Sequence, residues 1–203
     1  MCRDYPIFVL NPRVVMNNQS SKNIVLLTLL IVFAALSRII PHYPNFTAVG
    51  AMALFGAAQL RHQWQAFLIP IAALYLSDLV INNIIYAGYY DQFTWQISPF
   101  VYLAFLVVLG VGLVLRNKVS TANVVKASLA ASVLFFLVTN TASWWVDPMY
   151  TKNGMGLMTS YLAALPFFWS TVAGDLFYCG VLFGGYAWVQ ERFPQLAASG
   201  MPD

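Results

Sequence analysis

Residues 23–40 read NIVLLTLLIVFAALSRII, an apolar run whose one charged side chain, Arg38, lies close to its C-terminal end. A helix that crosses the hydrocarbon core of a membrane needs about 20 mostly apolar residues. The run has nearly that length, and Pro41 follows it directly. This stretch therefore predicts a transmembrane helix that stops at the proline.

Five further apolar segments follow along the chain. They cover residues 46–60, 65–85, 98–115, 124–146 and 157–189. The segment 46–60 is short and rich in glycine and alanine, so we expect it to pack tightly inside the bundle or to be partly re-entrant. Pro70 is expected to kink the third segment. The last segment is too long for one perpendicular span, and we expect Pro166 to divide it into an outer approach segment and the span proper.

The composition supports the same class of protein. Of 203 residues, 60% are hydrophobic and 8% are charged, whereas a soluble domain carries roughly 25% charged residues. The predicted fold is an all-α polytopic membrane protein, a bundle of six transmembrane helices. Residues 23–192 would form the membrane domain, with cytoplasmic tails at 1–22 and 193–203. Either Met1 or Met16 could be the true start.

The positive charges lie mostly on one side of the predicted bundle. Short cytoplasmic loops carry an excess of Lys and Arg, so this side is predicted to face the cytoplasm. We therefore expect the protein to lie in a cytoplasmic membrane with both termini in the cytoplasm. The loops 41–45, 86–97 and 147–156 would face outward. The residues on the predicted cytoplasmic side are Arg3, Arg13, Lys22, Arg61, Arg116, Lys118 and Arg192.

Aromatic side chains are concentrated near the predicted outer ends of the helices. Interfacial belts of Trp and Tyr explain much of this pattern, but a belt should be present on both sides of the membrane. The one-sided excess suggests that something outside is bound by stacking. The residues are Tyr43, Tyr86, Tyr89, Tyr90, Trp95, Trp144, Trp145 and Tyr150.

Two opposite charges are predicted inside the membrane, where charged residues are costly and usually face protein or a water-filled cavity. Arg38 lies near the outer end of the first helix, and Asp78 lies in the outer half of the third. They could form a buried ion pair that fixes the helix order, or they could belong to a site for a ligand or an ion. Polar residues predicted at a similar depth favour the site: His42, Asn45, Asn82 and Asn140.

The last two predicted helices add further candidates. Asn140 and Trp144 share one helical face at a spacing of four residues. Asp175 lies near the middle of the last segment, where it could bind a ligand or an ion. It could equally pair with a neighbouring Tyr, Thr or Asn.

Other classes of function lack a signature. The sequence has no G-x-S-x-G, H-E-x-x-H or P-loop motif, so an enzyme is not expected and no catalytic residue is assigned. Cys2 and Cys179 have no metal-binding or redox spacing, and neither a metal site nor a cofactor is expected. Beyond the cytoplasmic rim no basic patch exists, so nucleic acid is not an expected partner.

Four stretches carry a family resemblance: RIIPHYPNFTAVGAMALFG (38–56), IPIAALYLSDLVIN (69–82), LVTNTASWW (137–145) and LPFFWSTVAGDLFYCGVLFG (165–184). The chain from about residue 23 resembles a family of uncharacterised bacterial membrane proteins described as predicted transport proteins. Those are in turn similar to the S components, the substrate-binding subunits, of energy-coupling-factor (ECF) vitamin transporters. The resemblance implies a location in the bacterial cytoplasmic membrane.

The resemblance also implies a function and partners. An S component binds a vitamin or related micronutrient in an outward-facing pocket and docks onto a transmembrane T component that carries two ATPases. Here the loop 41–47 would be the lid. The residues that would line or brace the pocket are Arg38, Asn45, Asp78, Asn82, Asn140 and Trp144.

One departure from the S components leaves other functions open. Their first helix often has an A-x-x-x-A pattern where the T component approaches, and NIVLLTLLIV has no such pair. The chain could therefore act as a solitary transporter or binder. It could also be an ion- or proton-coupled carrier that uses Asp78 and Asp175, or a membrane scaffold that transports nothing.

Overall fold

The computed structural model describes residues 20–40 and 43–194. In this part of the chain six α-helices follow one another and no β-strand occurs, so the all-α prediction is confirmed. A π-helical turn, Ile81–Ile85, extends α3, and a 3₁₀ turn, Arg116–Lys118, extends α4. The helices are Ser21–Ser37 (α1), Val49–Gln59 (α2), Gln63–Val80 (α3), Pro99–Leu115 (α4), Thr121–Val146 (α5) and Gly154–Arg192 (α6).

Four helical segments within the described residues are long and apolar enough to cross a membrane: Gln63–Ile85, Pro99–Lys118, Thr121–Val146 and Gly154–Arg192. The apolar helices α1 and α2 are shorter, with 17 and 11 residues. At its usual rise per residue, α2 is about 16 Å long, roughly half of the hydrocarbon thickness. The sequence predicts six membrane-spanning helices. Helix α2 is too short to cross the membrane by itself.

Large apolar side chains cover the outside of the helices. On α1, Leu27 and Ile31 are fully buried, whereas Leu29 and Phe33 on the opposite face are exposed. Similar exposed residues occur on the other long helices, such as Leu76, Leu103, Val114, Leu129 and Phe177. A continuous apolar exterior of this kind is typical of a surface that contacts lipid. The architecture is consistent with a membrane protein.

Helix α2 lies at the centre of the bundle, and every one of its residues is buried. Its small residues let neighbouring helices approach closely. The side chain of Pro70, on α3, packs directly against Gly56. On α4, a Cβ at Gly112 would lie 2.7 Å from the Cβ of Ala57. The expectation that this glycine- and alanine-rich segment packs tightly inside the bundle is confirmed.

The alternating helix directions give the bundle two distinct ends. The described parts of the connecting segments, 38–40, 43–48, 81–98 and 147–153, lie together at one end, which we call the aromatic end. The opposite end, which we call the basic end, carries the turns after α2 and α4 and the C-terminus of α6. The charged residues at the basic end include Arg61, Arg116, Lys118 and Arg192.

Helix α6 continues unbroken through Pro166 for 39 residues, so this proline does not end the helix. The division of the segment into an outer approach segment and a membrane span stays a prediction. A proline removes one backbone hydrogen bond from a helix. Side-chain contacts to α5 hold this part of α6 in place. Ser160 donates to the carbonyl oxygen of Asn140 at 2.8 Å, and the hydroxyls of Tyr161 and Thr141 lie 2.6 Å apart.

Candidate functional site

A cavity of about 250 Å³ lies between the helices in the half of the bundle next to the aromatic end. Asn45 and Ser143 at its rim are exposed, whereas Gly50 and Asp175 at its floor are buried. The cavity therefore extends from the aromatic end toward the buried N-terminus of α2. Its remaining lining residues are Thr47, Val49, Val101, Phe135, Phe136, Thr139, Asn140, Ala164, Phe168 and Thr171.

Two asparagines supply polar groups to the cavity. Asn140 donates from Nδ2 to the carbonyl oxygen of Phe136 at 2.8 Å. Among the described residues, no donor is bonded to its Oδ1. Asn45 has a positive φ of 62°, a left-handed conformation that asparagine tolerates better than most residues. These amides can hydrogen-bond to a ligand in the cavity.

The segment that carries Asn45 is held firmly against α6. Phe46 contacts the rings of Phe177 and Tyr178, with centroids 5.7 and 5.9 Å away. A Cβ at Gly174 would lie 2.9 Å from the backbone nitrogen of Thr47. Only glycine at this position therefore allows the loop to pack this closely against α6. The part of the predicted lid that the structure describes therefore forms one wall of the cavity.

Phenylalanine rings form the apolar wall. The ring centroids of Phe136 on α5 and Phe168 on α6 are 4.9 Å apart, and the ring planes are inclined at 56°. The ring of Tyr161 also contacts Phe136, with centroids 5.6 Å apart. Aromatic walls and a few polar groups are the usual composition of a small-molecule site.

Asp175 forms the floor of the cavity and is only 3% exposed. Its Oδ2 accepts a hydrogen bond from the Ser132 hydroxyl at 2.6 Å. The backbone N–H groups of Gly50 and Ala51, in the first turn of α2, also donate to the carboxylate. A negative charge at a helix N-terminus is favourable because the N–H groups there lack partners within the helix. Of the two alternatives for Asp175, pairing with a neighbouring polar residue takes the form of hydrogen bonds from Ser132 and α2 rather than from Tyr, Thr or Asn, and a role in ligand or ion binding stays a prediction.

The close contact between Asp175 and Gly50 makes a testable prediction. A Cβ at Gly50 would lie 2.8 Å from Cγ of Asp175. We expect Gly50→Ala to displace the carboxylate from its donors and to lower the free energy of unfolding by about 1–3 kcal/mol. The measurement is unfolding of the detergent-solubilised protein, followed by tryptophan fluorescence.

Gly110→Ala is the matched control, because no heavy atom of the described residues lies within 4 Å of a Cβ at Gly110. This change should be neutral or stabilising by up to about 1 kcal/mol, since alanine favours a helix over glycine. Equal effects of the two substitutions would contradict the proposed contact.

Arg38 and Asp78 form an ion pair outside the cavity, with Nη2 and Oδ1 2.7 Å apart. Tyr102 donates to the other carboxylate oxygen at 2.8 Å, and Arg38 also donates to the hydroxyl of Ser77. Neither charged residue lines the cavity. The structural alternative, an ion pair that joins α1 to α3, is confirmed, and a role of these residues in ligand binding stays a prediction.

Asn82 and Trp144 hold loops at the aromatic end. Asn82 donates to the carbonyl oxygen of Gln96 at 3.1 Å, and the Trp144 indole donates to the carbonyl oxygen of Thr151 at 2.9 Å. Neither residue lines the cavity. His42 lies outside the described residues. Of the eight predicted site residues, the structure thus brings Asn45, Asn140 and Asp175 together around one cavity.

Sequence reasoning missed the two phenylalanines of the apolar wall. Phe136 and Phe168 look like ordinary lipid-facing residues in segments where most positions are apolar. Phe136 lies four residues before Asn140, so it shares a helical face with that polar residue. This spacing is the one signal in the sequence that could have placed it in the site.

Comparison with known proteins gives one match. No curated protein and no solved structure matches this chain. A family model described as a family of unknown function, DUF6580, matches residues 18–196. This agrees with the resemblance to an uncharacterised family, whereas the bacterial source and the similarity to ECF S components stay predictions. The match covers nearly the whole chain, so the protein belongs to the DUF6580 family.

Proposed function

We propose that this protein is the substrate-binding membrane component of an uptake system for a vitamin or a related micronutrient. The cavity at the aromatic end is the observation that carries this proposal. It has an exposed rim, a buried floor, aromatic walls and an amide oxygen with no bonded donor among the described residues. Concave sites with aromatic walls and a few polar groups are typical of small-molecule binding.

The proposal includes the arrangement in the membrane. The six helices within residues 23–192 would form one membrane domain in a bacterial cytoplasmic membrane, with α2 enclosed by the others. Both termini would be cytoplasmic, and the aromatic end would face outward. The cluster of Arg and Lys at the basic end supports this orientation, because positive charge is enriched in cytoplasmic loops.

An energising partner is part of the same proposal. In the ECF S components that this chain resembles, a T component with two ATPases takes that role. Gly180 and Gly184, one turn apart on α6, have no heavy atom of the described residues within 4 Å of a Cβ position. Such a face permits close approach of a partner helix. It offers a place for docking although α1 lacks the A-x-x-x-A pattern.

The test is mass spectrometry of small molecules that co-purify with the protein in mild detergent. We expect a vitamin-like compound in the wild type and at least about a tenfold lower content in Asn140→Leu, because one hydrogen bond in the cavity is lost. Asn117→Leu is the matched control, since Asn117 is exposed at the basic end. Its ligand content should equal that of the wild type.

Two results would overturn the proposal. One is the repeated absence of any co-purifying small molecule from folded wild-type protein. The other is a bound compound whose content is unchanged in folded Asn140→Leu, because that compound would lie elsewhere.

A second function is favoured by Asp175, a buried acid at the cavity floor. Acids at membrane depth often bind ions or protons in carriers. An ion- or proton-coupled carrier would transport its substrate in liposomes that contain only this protein and an ion gradient. The uptake component would bind substrate there without transporting it until the ATPase module is added.

A further inference from the structure

We propose that the ligand of the cavity is a small organic cation with a single aromatic ring. This inference rests on the proposed function, because it specifies the chemical class that the same cavity takes. Charge, ring contacts and volume each restrict the ligand independently.

The charge of the walls disfavours an anion. Asp175 is the one ionisable residue among the described residues that line the cavity, and no Lys, Arg or His is among them. The guanidinium of Arg38 is bound to Asp78 outside the cavity. An anionic ligand would thus find no cationic side chain in the walls to offset its charge in a poorly screened environment. A cation would approach the floor of the cavity, where Asp175 is the one ionisable lining residue among the described residues.

The aromatic wall favours the same sign of charge. The ring faces of phenylalanine carry a negative electrostatic potential and attract cations within about 6 Å of the ring centroid. Phe136 and Phe168 lie 4.9 Å apart and both line the cavity, together with Phe135. A flat cationic ring can stack on one phenylalanine and contact the edge of the other.

The volume limits the size of the ligand. An apolar cavity of about 150 Å³ accommodates benzene. The cavity here, at about 250 Å³, has room for one ring and its substituents. A corrinoid or a flavin with its ribityl chain would enter this space only in part, because the walls enclose about one ring and the rim is open. The amides of Asn45 and Asn140 would then bind the polar substituents of the ring.

Three probes of nearly equal shape test the charge preference. They are 1-methylnicotinamide, which is a cation, nicotinamide, which is neutral, and nicotinate, which is an anion. We measure their binding to the full chain in detergent by isothermal titration calorimetry. The cation should bind about tenfold more tightly than the neutral probe, and the anion should give no detectable binding.

Two neighbouring substitutions locate the effect. Phe168→Leu should lower the affinity for the cation about tenfold and reduce its preference over the neutral probe. Phe167→Leu is the matched control, because the Phe167 side chain is exposed and does not line the cavity. It should leave all three affinities unchanged. A flavin probe should not bind to either variant or to the wild type.

The outcomes separate this inference from the proposed function. Tighter binding of nicotinate, equal affinities for the three probes, or no binding of any of them would overturn the inference. A co-purifying ligand that is anionic or larger than one ring would also overturn it, while uptake by this protein would stand. Absence of any co-purifying ligand would overturn both.

Discussion

Replacement of Arg116 by methionine is expected to lower the free energy of unfolding by about 3 kcal/mol, because charge-assisted hydrogen bonds to buried carbonyl groups are lost. The guanidinium group contacts the C-terminus of α2. Nε and Nη2 donate to the carbonyl oxygen of Ala57 at 2.9 and 2.7 Å. Nη2 also donates to Leu60 at 2.7 Å, and Nη1 donates to Arg61 at 3.2 Å.

These carbonyl groups lie at the C-terminal end of α2 or just after it. The last carbonyls of any helix lack partners within that helix, and Ala57 and Leu60 are almost completely buried. Methionine keeps the length of the arginine stem but donates no hydrogen bond. The substitution should lower the thermal midpoint in detergent by roughly 10 °C, given about 2–4 °C per kcal/mol for a chain of this size.

Lys118→Met is the matched control for Arg116→Met. Lys118 lies two residues further along the same 3₁₀ turn, and its side chain is exposed. Both substitutions remove one positive charge from the basic end. If the loss of charge alone mattered, both variants would unfold at the same temperature. The expectation is a large shift for Arg116→Met and almost none for Lys118→Met.

Arg116 and Asp175 together explain how a short buried helix is stabilised. Asp175 accepts hydrogen bonds from the first turn of α2, and Arg116 donates to the last. Each charge therefore lies at the end of α2 where the helix dipole favours it. The sequence separates these two residues from α2 by long stretches, so no local pattern could reveal that they cap it.

The sequence predicted the positions of the helices along the chain better than it predicted the contacts between them. Apolar runs interrupted by loops predicted the position of each helix within a few residues, because burial in lipid requires length and apolar character. The same rule treated Arg116 as a charge of the cytoplasmic rim. Its contacts depend on where α4 crosses α2, at Gly112 and Ala57, and that crossing is a tertiary property.

The cavity was only partly predictable for the same reason. Asn140 and Asp175 were found because polar residues are rare in apolar helices and their presence requires an explanation. The same argument selected Arg38 and Asp78, which the structure pairs with each other outside the cavity. Rarity identifies a polar residue as important, whereas its neighbours in space decide whether it contacts another residue or a ligand.

Replacement of either member of the Arg38–Asp78 pair is expected to lower the free energy of unfolding by about 3 kcal/mol. The side chains are only 12% and 17% exposed, so one removed partner leaves the other charge poorly solvated. Of the described hydrogen bonds, Arg38→Met would leave Asp78 with the one from the Tyr102 hydroxyl. Asp78→Leu would leave Arg38 with Ser77 and the Leu74 carbonyl. The loss should be visible as a lower thermal midpoint of each single variant in detergent.

The double variant Arg38→Met/Asp78→Leu separates a structural pair from a ligand site. It removes both charges, so we expect its destabilisation to be smaller than the sum of the single effects by at least about 1.5 kcal/mol. Because neither residue lines the cavity, it should keep the co-purified ligand of the wild type. Asn140→Leu should instead keep most of the free energy of unfolding of the wild type but lose the co-purified ligand. Additive destabilisation would contradict the pairing, and loss of ligand from a folded double variant would show that the pair belongs to the binding site.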